Sequence, residues 1–298
     1  MTTQPFNLRA GAPLAIQAAR FGPLADLAGT WTGSGFNLIS RPGKDVGLTF
    51  VLQVNATKEV LTFDPINAQI FNRGSEQGDL TLFAMPYSQL VNDAVTSGLL
   101  HAEHGMWLNV PPTQDPDQPH TVVRLATIPH GDSVVAQGTS KPVPRPIISP
   151  VNPAPFTPDG YDPTRGKLVG EGYFPPPFQA PQTVTGALPP GFDITNPNAA
   201  LTSVIEGQNI TSTVVLEVST TPQRQPGDLP GPFGGGILNI PFVTVNANAV
   251  AMKATFWIET VEPPDAEPFL QLQYTQTVIL SFKGINWPHI SVATLVKS

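Results

Sequence analysis

The chain has 298 residues, no cysteine and a formal net charge of −7; 40% of its residues are hydrophobic and 12% are charged. The absence of cysteine excludes disulfides, thiolate metal sites and cysteine nucleophiles. Because lysine and arginine form no run, a nucleic-acid groove and an anionic membrane surface are both disfavoured as partners.

The N-terminal segment lacks the pattern of a targeting sequence. MTTQPFNLRAGAPLAIQAARFG has one early arginine and a weak apolar stretch interrupted by glycine and proline, which makes a poor signal peptide. No run approaches the roughly 18 apolar residues that a membrane span needs. We therefore expect a cytoplasmic protein without a membrane partner.

Proline and glycine leave few stretches long enough for an ordinary helix. Two short helices are predicted, over residues 13–21 and over residues 86–95, the second with proline at its start. Strands are predicted wherever β-branched and aromatic residues cluster between turn signals. These segments are 46–55, 58–63, 79–84, 120–128, 133–138, 211–220, 242–261, 269–282 and 290–296, and the stretch LLHAEHGMWLNVP reads as a further strand.

About ten strands in a meander-like order, without βαβ alternation, indicate an all-β, antiparallel closed barrel or a sandwich. We expect residues 1–298 to form one domain. Residues 140–200 are a proline-rich insertion, which cannot be central sheet because proline lacks a backbone donor. Residues 222–236 form a second loop rich in glycine and proline.

Three of the five histidines stand in suggestive contexts: His101, His130 and His289. Alternate side chains share one face of a strand, so His101 and Glu103 are predicted to point one way and His104 the other. His130 lies in a Pro-His-Gly-Asp turn, where turn stabilisation and function are both open. His289 begins the last predicted strand; a single histidine in a β protein is usually structural, so composition and spacing leave its role open.

Other common catalytic signatures do not occur in the chain. There is no G-x-S-x-G nucleophile elbow, no H-E-x-x-H zinc motif and no arrangement of paired carboxylates. The glycines at 234–236 precede a strand-like run with no Lys-Ser/Thr after them, so they do not form a phosphate-binding loop.

Four segments, in this order along the chain, resemble the nitrobindin family. LAGTWTGSG (residues 27–35) is a Gly-x-Trp-x-Gly-x-Gly opening, in which we expect the glycines to allow a tight bend and the tryptophan to plug the barrel end. LLHAEHGMWLNVP resembles the family's H-x-E-x-G-aromatic strand, and VVRLATIPHGDSVVAQG resembles its next hairpin. FLQLQYTQTVILSFKGINWPHISVATLVK resembles its closing hairpin, with a histidine leading the last strand.

The resemblance implies a barrel similar in fold to lipocalins and fatty-acid-binding proteins, with haem b bound at one mouth. By this match His289 is the proximal iron ligand, His101 is a distal catalytic residue, and Trp31 and Met106 complete the cofactor-binding set. The resemblance also implies reversible binding of nitric oxide and isomerisation of peroxynitrite to nitrate. We therefore expect a small-molecule or gaseous ligand, bound by a monomer or a homodimer.

Two alternatives remain open on sequence alone. The barrel could bind an apolar small molecule such as a fatty acid without haem, with His101 and His289 as polar lining. A cupin-like mononuclear metal site could combine His101 with Glu103 or His104 and another histidine. Family domains are little more than half this length, and the excess falls in the two loops, which could cover the barrel mouth or decorate one end.

Overall fold

The computed structural model describes residues 14–47, 50–66, 68–156, 183–222, 224 and 227–298. Ten long strands dominate this part of the chain. They are β1 (Gly29–Pro42), β2 (Phe50–Phe63), β3 (Leu80–Asp93), β4 (Leu99–Val110), β5 (Thr121–Ile128), β6 (Asp132–Val143), β7 (Ile210–Ser219), β8 (Asn248–Val261), β9 (Phe269–Phe282) and β10 (Ile285–Lys297).

Each long strand pairs antiparallel with its neighbours in the sequence, and β10 pairs back onto β1. The ten strands therefore close into an up-and-down barrel, which satisfies the backbone groups that an open sheet would leave at its edges. The predicted all-β class, the number of strands and the closure are confirmed.

Short elements connect the barrel strands. The helices are α1 (Leu14–Phe21), α2 (Ala199–Ile205) and α3 (Pro241–Asn246), with 3₁₀ turns at Gly22–Leu27 and Lys44–Val46. The short strands are Ile70–Asn72, Thr113–Gln114, Asp117–Gln118, Thr183–Thr185 and Gly234–Asn239. None of the described helices has the length and apolar character needed to span a bilayer.

The helix predicted over residues 13–21 is confirmed by α1, but the helix predicted over residues 86–95 is wrong. Those residues continue β3, where Tyr87, Gln89 and Val91 are buried at every second position. Pro86 is tolerated because the pairing of β3 with β2 ends at Tyr87, so no β2 residue needs an amide hydrogen at position 86.

Several predicted boundaries also shift. The strand predicted over residues 242–261 begins as α3, because Pro241 suits the first turn of a helix, and only Asn248–Val261 is strand. Pro142 lies within β6, which runs on to Val143, so the sheet enters the first residues of the proline-rich insertion. The end of the second loop is also strand, since Gly234–Asn239 pairs with β6.

One end of the barrel is closed by the segment before β1 together with Trp31, which we call the plug. Leu24, Leu27 and Trp31 are fully buried there. The indole Nε1 of Trp31 donates a 2.7 Å hydrogen bond to the carbonyl of Leu27, which fixes the turn against the ring. The apolar core above the plug includes Trp107 and Phe256, whose rings pack edge to face 5.3 Å apart.

Gly35 on β1 permits the close approach of β10. A Cβ at this position would lie 1.9 Å from the carbonyl oxygen of Val292 and 2.7 Å from the Cα of Ala293. A Cβ at Gly33 would likewise lie 2.1 Å from the carbonyl oxygen of Thr294. Both glycines therefore allow the closing strand to approach, whereas the sequence predicted that they allow a tight bend.

We expect Gly35→Ala to lower the free energy of unfolding by about 3 kcal/mol, near the upper end for overpacking, because the obstruction is backbone. Chemical denaturation measures the effect. The matched control is Gly236→Ala, where an added Cβ meets nothing within 4 Å, and we expect it to change stability by less than about 0.5 kcal/mol. Equal stability of both variants would contradict the account of the closing pair.

The flanks of the proline-rich insertion cover the outer wall of the barrel. Phe192 and Leu201 pack on outward-facing Phe36 and Val292 in a second apolar cluster. Thr275 donates a 2.6 Å hydrogen bond to the Asn198 side chain, tying the segment before α2 to β9. Residues 157–182, with the aromatic residues of that stretch, lie outside the described residues.

Beneath this layer Glu259 of β8 is fully buried. Gln271 donates a 2.6 Å hydrogen bond to its Oε2, while its Oε1 has no partner among the described residues. Burial raises the pKa of Glu259 to about 7, against the smaller lowering effects of the Gln271 hydrogen bond and the Arg145 charge. The carboxyl group is therefore mostly protonated in slightly acidic solution.

This pKa predicts a pH-dependent loss of stability. The folded state binds the Glu259 proton more tightly than the unfolded chain, whose pKa is near 4.5, so its contribution is fully present below pH 4.5 and is lost as pH rises to about 7. We expect Glu259→Gln to gain up to about 3 kcal/mol relative to the wild type across that range. Denaturant titrations at several pH values test this, with the exposed Glu206→Gln as the control; parallel curves for Glu259→Gln and wild type would contradict it.

Candidate functional site

A cavity of about 380 Å³ lies at the end of the barrel opposite the plug. Ile39 and Arg41, near the end of β1, line it, whereas Trp31 near the start of the same strand lies in the core at the plug. The volume falls in the range of about 300–1,000 Å³ typical of small-molecule sites. The apolar part of the lining includes Ile39, Val91, Leu100, Ala126, Ile128, Val134, Ile237, Val243, Val278 and Leu280.

The segment that follows the second loop contributes to the cavity mouth. Ile237, from the short strand Gly234–Asn239, and Val243, from α3, line the cavity. The amide of Ile240 donates a 2.9 Å hydrogen bond to the carbonyl of Gly131, which anchors this segment to the turn between β5 and β6. This segment therefore reaches the mouth, while the described flanks of the proline-rich insertion lie on the outer wall.

Three histidines predicted from sequence come together in the cavity lining. His101 comes from β4, His130 from the turn between β5 and β6, and His289 from the start of β10. The His101 and His130 rings lie 5.6 Å apart between centroids. Within the described ranges no three histidine or carboxylate groups are arranged to hold a metal ion among themselves, so the predicted cupin-like site is not formed there.

His289 has an unusual environment for an imidazole. Its Nε2 is shielded from solvent and has no hydrogen-bond partner in the described part of the chain. Burial, with a smaller contribution from the charges of His101 and His130, lowers the pKa of His289 to about 3. The ring is therefore neutral at every physiological pH and keeps a lone pair on one nitrogen.

His101 is hydrogen-bonded to the carboxylate predicted to share its face of the strand. Its Nε2 lies 3.2 Å from Oε2 of Glu103, whose side chain is 1% exposed. His104 points outward and is exposed, so the predicted alternation along β4 is confirmed.

Glu103 is held ionised by a buried network in the cavity floor. Arg124 donates a 2.6 Å hydrogen bond to its Oε1, and the Tyr87 hydroxyl donates to the same oxygen. Burial alone would raise the pKa of Glu103, but the Arg124 charge, the contact with His101 and the Tyr87 hydrogen bond lower it to about 2. The floor therefore contains a buried ion pair whose two charges cancel.

Each of the three nitrogens of Arg124 donates a hydrogen bond within this network. Its Nε donates to the Tyr87 hydroxyl at 2.9 Å, and its second terminal nitrogen donates to Oε1 of Gln276 at 2.6 Å. The guanidinium also lies over the rings of Trp107 and Phe256. Such packing on aromatic faces compensates in part for the lost hydration of a buried cation.

A second polar group in the barrel interior surrounds Glu59 of β2. The Tyr274 hydroxyl donates a 2.5 Å hydrogen bond to its Oε2, and Gln89 donates to the same oxygen at 3.3 Å. Burial raises the pKa of Glu59 despite hydrogen bonds from Tyr274, Thr57 and Gln89 and the charge of His101. Tyr274 and Gln89 also line the cavity, so together with the Arg124 network they form a polar floor above the apolar core.

Two residues that the family resemblance placed in the cofactor set lie away from the cavity. Trp31 is part of the plug at the other end, where its ring fills the barrel as its motif predicts. Met106 is 40% exposed on the outer face of β4, because it is an odd number of residues from inward-facing Glu103. Neither is among the residues that line the cavity.

Sequence reasoning missed Arg124, Tyr87 and Gln276. The available signal was the arginine in VVRLAT, a single charge inside an otherwise apolar strand, which favours a buried and paired cation. Its partners could not be named, because they come from β3, β4 and β9 and meet only when the barrel closes.

No protein-family model matches this chain, and no curated protein matches it. A solved structure similar to it is the crystal structure of Rv2717c from M. tuberculosis, with a TM-score of 0.44 and 12% sequence identity, over 94% of this chain and 99% of that one. The closed barrel and its cavity define a fold compatible with the binding of a small molecule.

Proposed function

We propose that the cavity binds haem b, with Nε2 of His289 as the iron ligand. The observation that carries the proposal is the solvent-shielded imidazole of His289, which lies in the lining of the cavity and has no described hydrogen-bond partner for Nε2. An orphaned buried nitrogen costs free energy, and a metal–nitrogen bond would satisfy it. Neutral imidazole is a common axial ligand of haem iron.

The protonation state of His289 supports the same role. A pKa of about 3 means that no proton has to leave before the ring can act as a ligand. The apolar side chains of the lining would contact the porphyrin face and limit the access of water. When bound, haem would supply an iron centre able to bind nitric oxide reversibly and to isomerise peroxynitrite to nitrate, the chemistry that the family resemblance implies.

The remaining polar groups have separate roles in this proposal. His101 lies in the same lining and would contact a small ligand of the cavity by a hydrogen bond. Glu103 and Arg124 hold His101 in place from below and keep the floor electrically neutral.

The floor disfavours the alternative of a fatty-acid anion bound without haem. A carboxylate headgroup requires a cation with free donors, but each nitrogen of Arg124 already donates, to Glu103, Tyr87 or Gln276. Arg41, the other arginine of the lining, is paired with Asp45.

A spectroscopic titration of the purified chain with hemin tests the proposal. We expect a saturable Soret shift with one-to-one stoichiometry, which oleate does not compete away. A linear signal without saturation would contradict haem binding. Displacement of hemin by stoichiometric oleate would favour the fatty-acid alternative instead.

A further inference from the structure

The contact between His101 and Glu103 determines which nitrogen of His101 carries the proton. Glu103 is ionised, and an ionised carboxylate only accepts hydrogen bonds. Nε2 of His101, 3.2 Å from Oε2 of Glu103, must therefore carry a hydrogen and donate it. In neutral imidazole the other nitrogen is then an acceptor, so Nδ1 carries the lone pair.

The structure leaves Nδ1 of His101 available to the cavity. The side chain lines the cavity and is 19% exposed, so the ring is partly open to a ligand. The only described hydrogen bond of the ring is the one from Nε2 to Glu103. The neighbouring ring of His130 lies 5.6 Å away between centroids.

We propose that His101 and Glu103 form a carboxylate–histidine dyad that accepts a proton at Nδ1 from a protic cavity ligand. The ligand class is a small molecule with an acidic O–H group, such as a hydroperoxide or a protonated oxyacid. The dyad thus acts as a hydrogen-bond acceptor and base, whereas a distal histidine that steers bound oxygen is expected to donate. Its action on a ligand bound at haem rests on the proposed function, but the tautomer itself does not.

The proton transfer is balanced within these groups. The O–H bond of the ligand breaks, its electron pair stays on oxygen, and the proton forms a new bond with Nδ1. The resulting imidazolium keeps its Nε2 hydrogen on Glu103, whose negative charge stabilises it. Glu103 stays ionised because Arg124 and Tyr87 hold it, so it is a positioning residue and His101 is the group that meets the ligand.

Nitrogen-15 NMR of histidine-labelled, haem-free full-length chain tests the proposal directly. At about pH 8.5, where ordinary imidazoles are neutral, we expect His101 to be almost wholly Nε2-protonated, with the unprotonated Nδ1 resonating far downfield. His101→Gln identifies the signals, and exposed His104 on the opposite face of β4 serves as the reference for a free imidazole. A His101 that carries its proton on Nδ1 would overturn the proposal, whether or not the chain binds hemin.

Glu103→Gln tests the part assigned to the carboxylate. A glutamine amide can both donate and accept, so we expect the variant to release the constraint and to show a mixture of both His101 tautomers. Unchanged His101 signals in a folded variant would overturn the role of Glu103. Because this variant disturbs the partner of buried Arg124, the wild-type spectrum decides the tautomer if the variant does not fold.

Discussion

His289→Gly is expected to weaken hemin binding by at least about 100-fold. Loss of an outer partner of a metal ligand already costs about 10–100-fold, and this substitution removes the ligand itself. The solvent-shielded space left by the ring should accept free imidazole, so added imidazole is expected to restore the Soret shift in part. The measurement is a hemin titration of His289→Gly with and without imidazole.

The control for this experiment is another histidine of the same barrel. His120 does not line the cavity, and its ring contacts the side chain of Asn109. His120→Ala should therefore bind hemin as the wild type does. If His289→Gly retained wild-type affinity, the assignment of His289 as the iron ligand would be wrong, although another cavity residue could still hold haem.

Loss of the Arg124 guanidinium is expected to have the largest effect on stability. The Arg124 and Glu103 side chains are 2% and 1% exposed, so the pair is almost fully removed from water. Arg124→Leu leaves a buried carboxylate without its cation, and breaking such a pair costs about 3–5 kcal/mol. Urea denaturation at neutral pH measures this loss.

Two comparison variants separate the charge effect from simple loss of volume. Asp45→Asn removes one partner of the exposed Arg41–Asp45 pair and should cost less than about 1 kcal/mol. The double variant Arg124→Leu with Glu103→Leu removes both buried charges and should regain much of the stability lost in Arg124→Leu. A double variant as unstable as the sum of both single variants would show that the ion pair is not the source of the loss.

The architecture could be predicted because its determinants are local. Runs such as TSTVVLEVST, bounded by turn residues, specify strands by their own composition, and ten of them in meander order close most simply into a barrel. The errors arose where tertiary pairing overrides local preference. Pro86 and Pro142 lie inside strands; at Pro86 the pairing with β2 has already ended, so no β2 residue needs the amide hydrogen that proline lacks.

The candidate site was predictable only in part. The alternation along β4 is a local property, so His101 and Glu103 could be placed on one face before the structure was known. Their partners Arg124 and Tyr87 lie on two other strands, and no local pattern relates these positions. The outward direction of Met106 follows from the same alternation, although the motif that carried the family resemblance did not express it.

His289 stands on the strand that closes the barrel. β10 pairs with β9 on one side and with β1 on the other, where Leu38 faces Ile290. Without the pairing of β1 with β10 the sheet would be open, and the closed barrel that places His289 in one cavity with His101 and His130 would be lost. A ligand bound by His289 would bind only the closed barrel. By mass action it would stabilise the closed barrel by about 2.7 kcal/mol at a ligand concentration of 100 times Kd. Occupancy of the cavity would then depend on the fraction of molecules in which β1 and β10 are paired, so ligand binding and closure of the barrel would be thermodynamically linked.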